Sequence, residues 1–204
     1  MTFVKICGLS QPEHVITAVN AGASMIGFVF APSKREVTLK AAQELAKHIP
    51  SHIKKVGVFV NSDADTIKTI YNAVPLDYVQ YHGDESNEFI QQIGLPSIKA
   101  FAIRTIDDIT KAKSYNVDYY LFDTPGTAYR GGSGHTFDWS LLAQADIPME
   151  KTIVAGGLNE TNVTYMVDLL HPSGVDVSSG VELNGTKNND LIERFITTVK
   201  GAIV

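Results

Sequence analysis

Eight short apolar runs separated by helical patterns, the last two followed by glycine- and serine-rich turns, predict an α/β chain. The predicted architecture is a (β/α)8 TIM barrel, one domain over residues 1–204 with a parallel eight-stranded barrel. The runs occupy 3–7, 25–30, 55–60, 78–81, 97–101, 119–122, 152–155 and 175–177. They are rich in Val, Ile, Phe and Tyr and show little strict alternation, as parallel strands buried on both faces should. Spread over 204 residues, eight units take roughly 25 residues each, the small end for such a barrel.

Between the runs lie helix-like segments. Residues 11–21 carry Val15, Ile16, Ala18 and Val19, and residues 39–48 carry Leu39, Ala42, Leu45 and Ala46. Residues 64–73 place Ile67, Ile70 and Tyr71 at helical spacing. The fourth and sixth helices, at 86–93 and 138–144, are short. Asn61-Ser62-Asp63 and Asn159-Glu160-Thr161 are suited to helix N-termini. The competing architecture is an open doubly wound sheet, whose usual mark is a G-x-G-x-x-G turn after the first strand. That turn is absent here, as is G-x-x-x-x-G-K-[ST].

Composition narrows the function classes. An apolar fraction of 44% and a charged fraction of 19% describe an ordinary soluble globule. The net charge of −5, without a block of like charges, argues against nucleic acid as a partner. One cysteine excludes an intramolecular disulfide and fits a reducing cytoplasmic setting. No basic segment leads into a long apolar core at the N-terminus, and residues 25–32 are too few to span a bilayer, so no membrane association is expected. The three Asn-x-Thr sequons at Asn159, Asn162 and Asn184 are read as chance occurrences.

In a barrel of this kind, chemistry sits at the C-terminal ends of the strands. Strand one ends in Cys7-Gly8, and strand two leads to Ser33-Lys34-Arg35. Strand four ends in Gln80-Tyr81-His82-Gly83-Asp84, and strand six in Asp123-Thr124. Strand seven runs into Gly156-Gly157, and strand eight leads through Asp176 to Ser178-Ser179-Gly180. Two adjacent turns of this composition bring bare backbone N–H groups together and suit a phosphate. The loops after strands seven and eight are where such barrels commonly bind one. The long segment 125–136, with Gly131-Gly132-Ser133-Gly134, reads as a lid.

Each residue also has a plain structural reading. Cys7 is either a small buried apolar group or a reactive thiol. Asp123 either joins a structural hydrogen-bond network or serves the site, since a carboxylate closing an apolar run is costly unless paired or used. His82 is as readily a hydrogen-bonded neighbour as a ligand. Arg35 is a solvated charge or a bidentate clamp for a carboxylate, a task its planar guanidinium performs better than Lys34 would. Compact metal-ligand spacings such as C-x-x-C and H-E-x-x-H are missing, so no metal is expected, and G-x-S-x-G is missing too. One thiol, one or more carboxylates and a phosphate cradle remain. That set suits acid–base isomerisation.

In order along the chain, these motifs resemble the phosphoribosylanthranilate isomerase family of tryptophan biosynthesis. The resemblance is carried by Val4-Lys5-Ile6-Cys7-Gly8, Gly27-Phe28-Val29-Phe30, Ser33-Lys34-Arg35 and Val56-Gly57-Val58-Phe59-Val60-Asn61. It continues through Val79-Gln80-Tyr81-His82-Gly83-Asp84-Glu85, Gly131-Gly132-Ser133-Gly134 and Phe137-Asp138-Trp139. Ala155-Gly156-Gly157-Leu158-Asn159 and Asp176-Val177-Ser178-Ser179-Gly180-Val181-Glu182 close it. Tyr81 and the stretch 125–130 depart from the family pattern. The resemblance implies an Amadori rearrangement of N-(5′-phosphoribosyl)anthranilate without a cofactor, with Asp123 as general acid and Cys7 as general base. It further implies that Arg35 holds the anthranilate carboxylate, that His82 and Asp176 border the sugar, and that Gly156, Gly157, Ser178, Ser179 and Gly180 hold the phosphate. The partner is then a small phosphosugar, and the protein a monomer or homodimer. A histidine-pathway aminoaldose isomerase is the neighbouring alternative, although such enzymes resemble a repeated half-barrel with aspartate where Cys7 stands. A non-catalytic phosphosugar-binding barrel is the other.

Overall fold

The computed structural model describes residues 2–125 and 138–201. Eight parallel strands close into a barrel in chain order, which excludes the open sheet. They are β1 (Phe3–Cys7), β2 (Met25–Val29), β3 (Lys54–Phe59), β4 (Tyr78–Tyr81), β5 (Ser97–Ala102), β6 (Tyr119–Asp123), β7 (Thr152–Val154) and β8 (Gly174–Val177). Each boundary falls within a residue of the expected one. The helices are α1 (Pro12–Ala21), α2 (Leu39–Ala46), α3 (Ala64–Ala73), α4 (Asn87–Ile93), α5 (Ile106–Ala112), α6 (Ser140–Gln144), α7 (Val163–Leu170) and α8 (Asn189–Gly201). No helix among the described residues is long and apolar enough to cross a membrane.

Asp63 caps α3 as expected, its side chain accepting from Thr66 N. Asn159 does not cap α7. Its side chain accepts from Thr161 N at 2.9 Å, an Asx turn one turn short of the helix, which starts only after Asn162. A short antiparallel hairpin, β9 (Glu182–Leu183) and β10 (Thr186–Lys187), precedes α8 and was not anticipated. Its two-residue loop is Asn184-Gly185, both at positive φ (52° and 80°), the backbone that an Asn-Gly hairpin turn requires.

Strand parity sorts the barrel side chains. Val4 and Ile6 of β1, Val79 and Tyr81 of β4, Tyr120 and Phe122 of β6, and Val175 and Val177 of β8 belong to the core shared with the helices. A second apolar cluster, Met25, Val56, Ile98, Ala100, Leu121, Ile153 and Ala155, fills the barrel interior. Successive strand residues point to opposite faces, so Lys5, Cys7, Gln80, Asp123 and Asp176 all point inward. Tyr81, where the chain departs from the pattern of the family it resembles, faces the helix layer and packs edge-on against Phe89 of α4. It lies on the far side of the strand from the barrel interior.

Candidate active site

The C-terminal mouth of the barrel brings together residues from β1, β4, β6, β8 and the segments that follow them. At its β1–β8 side, Lys5 lies opposite Asp176 in the parallel register. Its Nζ is 2.9 Å from Asp176 Oδ1, and the lysine is wholly buried. Burial pulls the Lys5 ammonium down, but the facing Asp176 and the Cys7 thiol outweigh it and hold the group above its usual range. Cys7, two residues on and on the same face, is 8% exposed. Burial pushes its thiol up, and Asp176 adds to that, while Lys5 and Lys187 pull the other way. Room for this cluster comes from Gly27, the β2 partner of Cys7. A Cβ there would stand 3.0 Å from Cys7 Sγ and 3.1 Å from Lys5 Nζ.

Asp123, the last residue of β6, is 7% exposed. Its Oδ1 accepts from Thr124 N at 2.7 Å, and Oδ2 lies 3.5 Å from His82 Nε2. The other ring nitrogen, Nδ1, is 2.9 Å from Gln80 Nε2. With the Gln80 amide donating to Nδ1, the imidazole carries its proton on Nε2 and presents it to Asp123. His82 is thus a partner of Asp123. A cavity of about 480 Å³ opens beside this carboxylate, its lining including His82, Lys99, Arg104, Tyr115 and Thr124.

The turns after β7 and β8 come into contact. A Cβ on Gly180 would run into the carbonyl oxygen of Leu158. Ser178 Oγ donates to the Cys7 carbonyl at 3.1 Å, tying the cradle to the end of β1. A single 3-10 turn follows over Ser179–Val181. Gly156 (φ 81°) and Gly157 (φ 66°) use backbone that only glycine adopts easily. Gly156 sits against Asp123 and Thr124, where a Cβ would collide with Thr124 and stand 2.8 Å from Asp123 Oδ1. Gly180→Ala is expected to destabilise the fold by about 1–3 kcal/mol, because backbone rather than a flexible side chain must yield. Urea unfolding checks this, and an unchanged midpoint would mean the turns part freely.

Arg35 does not stand as a free clamp. Its Nε and Nη2 donate to the two oxygens of Glu182, at 2.6 and 3.1 Å. Lys34 and Lys187 also pair with Glu182, at 2.9 and 3.1 Å. Burial pushes the Glu182 carboxyl up, but Arg35, Lys187 and Lys34 outweigh it and hold it at about 2. Lys187, 7% exposed, also donates to the carbonyl and hydroxyl of Ser178. Burial brings its ammonium down to about 8, against the opposing pull of Glu182 and Cys7.

A carboxyl depressed in the folded state stabilises fully above its unfolded value, and that contribution fades as pH falls. For Glu182 the window runs from the ordinary 4.5 down through about 2. Glu182→Gln is therefore expected to lower stability at neutral pH, with the gap from the native protein closing across that window. Urea unfolding as a function of pH measures it, and a gap independent of pH would show that the cluster does not hold the carboxylate.

Lys5, Lys187, Glu182 and Gln80 received no role from the sequence. For Lys187 the signal was Asn184-Gly185, whose hairpin folds the lysine back beneath Ser178. For Lys5 it was a charge inside an apolar strand. The expected lid, 125–136, lies outside the described residues apart from Pro125 at its start. Among the described residues, no group of three or more His, Cys, Asp and Glu side chains converges as metal ligands would.

The profile of one family, described as N-(5′-phosphoribosyl)anthranilate (PRA) isomerase, matches residues 4–198. An N-(5′-phosphoribosyl)anthranilate isomerase of Listeria monocytogenes serotype 4b is 47% identical over 198 residues, covering 97% of this chain and 98% of the relative. The crystal structure of phosphoribosyl anthranilate isomerase from Thermotoga maritima superposes with a TM-score of 0.89 at 37% identity, covering 98% of this chain and 100% of that one. Another solved isomerase, in complex with reduced 1-(o-carboxyphenylamino)-1-deoxyribulose 5-phosphate, superposes with a TM-score of 0.86 at 36% identity and the same coverage. Matched along nearly its whole length in sequence and in barrel architecture, the chain belongs to the N-(5′-phosphoribosyl)anthranilate isomerase family.

Proposed function

We propose that this protein isomerises N-(5′-phosphoribosyl)anthranilate to 1-(2-carboxyphenylamino)-1-deoxyribulose 5-phosphate in tryptophan biosynthesis. The observation that carries the reading is one thiol and one carboxyl, Cys7 and Asp123, both buried and inward-facing at the barrel mouth beside the joined β7 and β8 turns. Asp123 gives its proton to the furanose ring oxygen, the C1′–O bond breaks, and the anthranilate nitrogen becomes an iminium. His82 and Thr124 N face the carboxylate that is left. Cys7, as thiolate, takes the C2′ proton, and the electron pair flows to the iminium nitrogen to give an enolamine. Tautomerisation to the ketone completes the reaction. The substrate's own nitrogen is the electron sink, so this route calls for no cofactor.

Gly156, Gly157, Ser178, Ser179 and Gly180 hold the phosphate in this reading, largely through backbone N–H groups. Arg35 takes the anthranilate carboxylate with the guanidinium nitrogen that Glu182 does not occupy. Asp176 serves through Lys5 as well as at the edge of the sugar. The test generates phosphoribosylanthranilate in place from anthranilate and phosphoribosyl pyrophosphate and follows the decay of its fluorescence. Decay faster than spontaneous hydrolysis, yielding the rearranged ketose, is expected. A folded protein that gives no acceleration would overturn the assignment and favour the histidine-pathway aminoaldose or simple phosphosugar binding.

A further inference from the structure

We infer that Lys5, anchored by Asp176, is a positioning residue whose buried ammonium makes the Cys7 thiol usable as a base. The inference rests on the reading of Cys7 as the base of the isomerisation. Its physical core, a charge coupling between Lys5 and Cys7, can be measured without substrate.

The placement of Lys5 is costly for the fold. Around it the barrel interior is filled by Met25, Val56, Ile98, Leu121 and Ile153, an apolar plug that needs no charge. Removing an ammonium and a carboxylate from water costs several kcal/mol per ion, and replacing a buried pair by apolar side chains is often neutral or stabilising. Stability therefore does not account for the Lys5–Asp176 pair. Its position does: Lys5 lies one strand period before Cys7 on the same face, its Nζ is held 2.9 Å from Asp176 Oδ1, and Nζ and Cys7 Sγ both stand about 3 Å from where a Gly27 Cβ would lie. Gly27 leaves the space that both the sulfur and the ammonium border.

Three charged groups act on the thiol: Lys5 from β1, Asp176 from β8 and Lys187 from β10. Burial and Asp176 favour the protonated form, and the two lysines favour the thiolate, with Lys5 the stronger. The charge balance fits the step. Before proton abstraction, Asp176, Lys5 and thiolate sum to −1. Afterwards the sulfur holds the C2′ proton, the sum is zero, and Lys5 has kept its own proton throughout.

Cys7 is the sole cysteine of the chain, so iodoacetamide uptake reports on that thiol alone. The rate is to be followed against pH for the native protein, Lys5→Met, Asp176→Asn and the double variant Lys5→Met/Asp176→Asn. The singles are expected to move in opposite directions. Lys5→Met shifts the inflection to higher pH and slows uptake near neutrality by about tenfold or more, one unit of thiol shift being a factor of ten. Asp176→Asn shifts it to lower pH and speeds uptake. The double variant leaves no buried unpaired charge and is expected to keep the upward shift. It decides the matter if Lys5→Met alone unfolds, which would show as fast uptake with the profile of an exposed thiol.

Turnover of Lys5→Met is expected to fall with little change in KM and to recover partly at higher pH, which a merely structural defect would not do. A native alkylation profile in folded Lys5→Met, or shifts of the same sign in both singles, would overturn the inference. An alkylation shift with unchanged kcat would instead leave the coupling standing and remove Cys7 as the base.

Discussion

Cys7→Ala should lower turnover by about 10²–10⁴-fold, the range typical for loss of a positioned acid–base group, while the phosphosugar still binds. Alanine removes the only atom that accepts the C2′ proton. The ammonium of Lys5 cannot substitute, because the facing Asp176 keeps it protonated. Phosphate binding should persist. The bond that ties the cradle to β1 runs from Ser178 Oγ to the backbone carbonyl of Cys7, and the side chain takes no part in it. Cys7→Ser is expected to be nearly as slow, since a hydroxyl is far harder to deprotonate than a thiol even beside a cation. Single-turnover rates with the native and variant proteins, together with titration by a reduced product analogue, separate the two effects. Near-native turnover in Cys7→Ala would remove the thiol from the mechanism, and a large loss of analogue binding would show that the substitution had deformed the cradle.

How far the sequence displayed this arrangement depended on the range of the interaction concerned. Strands are local: a run such as Val56-Gly57-Val58-Phe59, buried on both faces, carries no polar side chain, so its limits were readable. Cys7, Asp123 and the two turns were readable because they end such runs. Parity along a strand was readable as well. Val4 and Ile6 flank Lys5 on β1 as Val175 and Val177 flank Asp176 on β8, and a charge alternating with apolar residues turns toward the other face. The meeting of the two was hidden. Lys5 and Asp176 are 171 positions apart and become neighbours only when β8 closes on β1, in a register set by the stagger of the whole barrel. The surroundings of Arg35 were hidden for the same reason. Glu182 belonged to the quoted motif, yet only the closed barrel brings it, 147 positions away, onto the guanidinium. The hairpin that delivers Lys187 is the opposite case. Asn184-Gly185 is a local signal of positive φ, and reading it would have returned the lysine to the site.

Asp123→Asn should cost turnover about as much as loss of Cys7, again about 10²–10⁴-fold, through an earlier step. Asparagine fills the same space, and its oxygen can still accept from Thr124 N, so the end of β6 should keep its shape. What it cannot do is release a proton to the ring oxygen. It also reverses the polarity toward His82: Oδ2 of the native side chain faces Nε2 at 3.5 Å, and the asparagine amide would set a donor against the Nε2–H that Gln80 maintains. Opening of the furanose is therefore the step that should slow, and the proton exchange that Cys7 performs afterwards should not. This separates the two groups experimentally. Deuterium at C2′ of the substrate slows only the step in which Cys7 takes that hydrogen, so its isotope effect on turnover reports which step limits each variant. Read from fluorescence decay with protio and deuterio substrate, the isotope effect is expected to be small in Asp123→Asn, where ring opening limits, and large in Cys7→Ala, where proton abstraction limits. A large isotope effect in both variants would mean that the carboxylate also assists proton transfer at carbon, and would merge the acid and the base into one coupled unit across the barrel mouth.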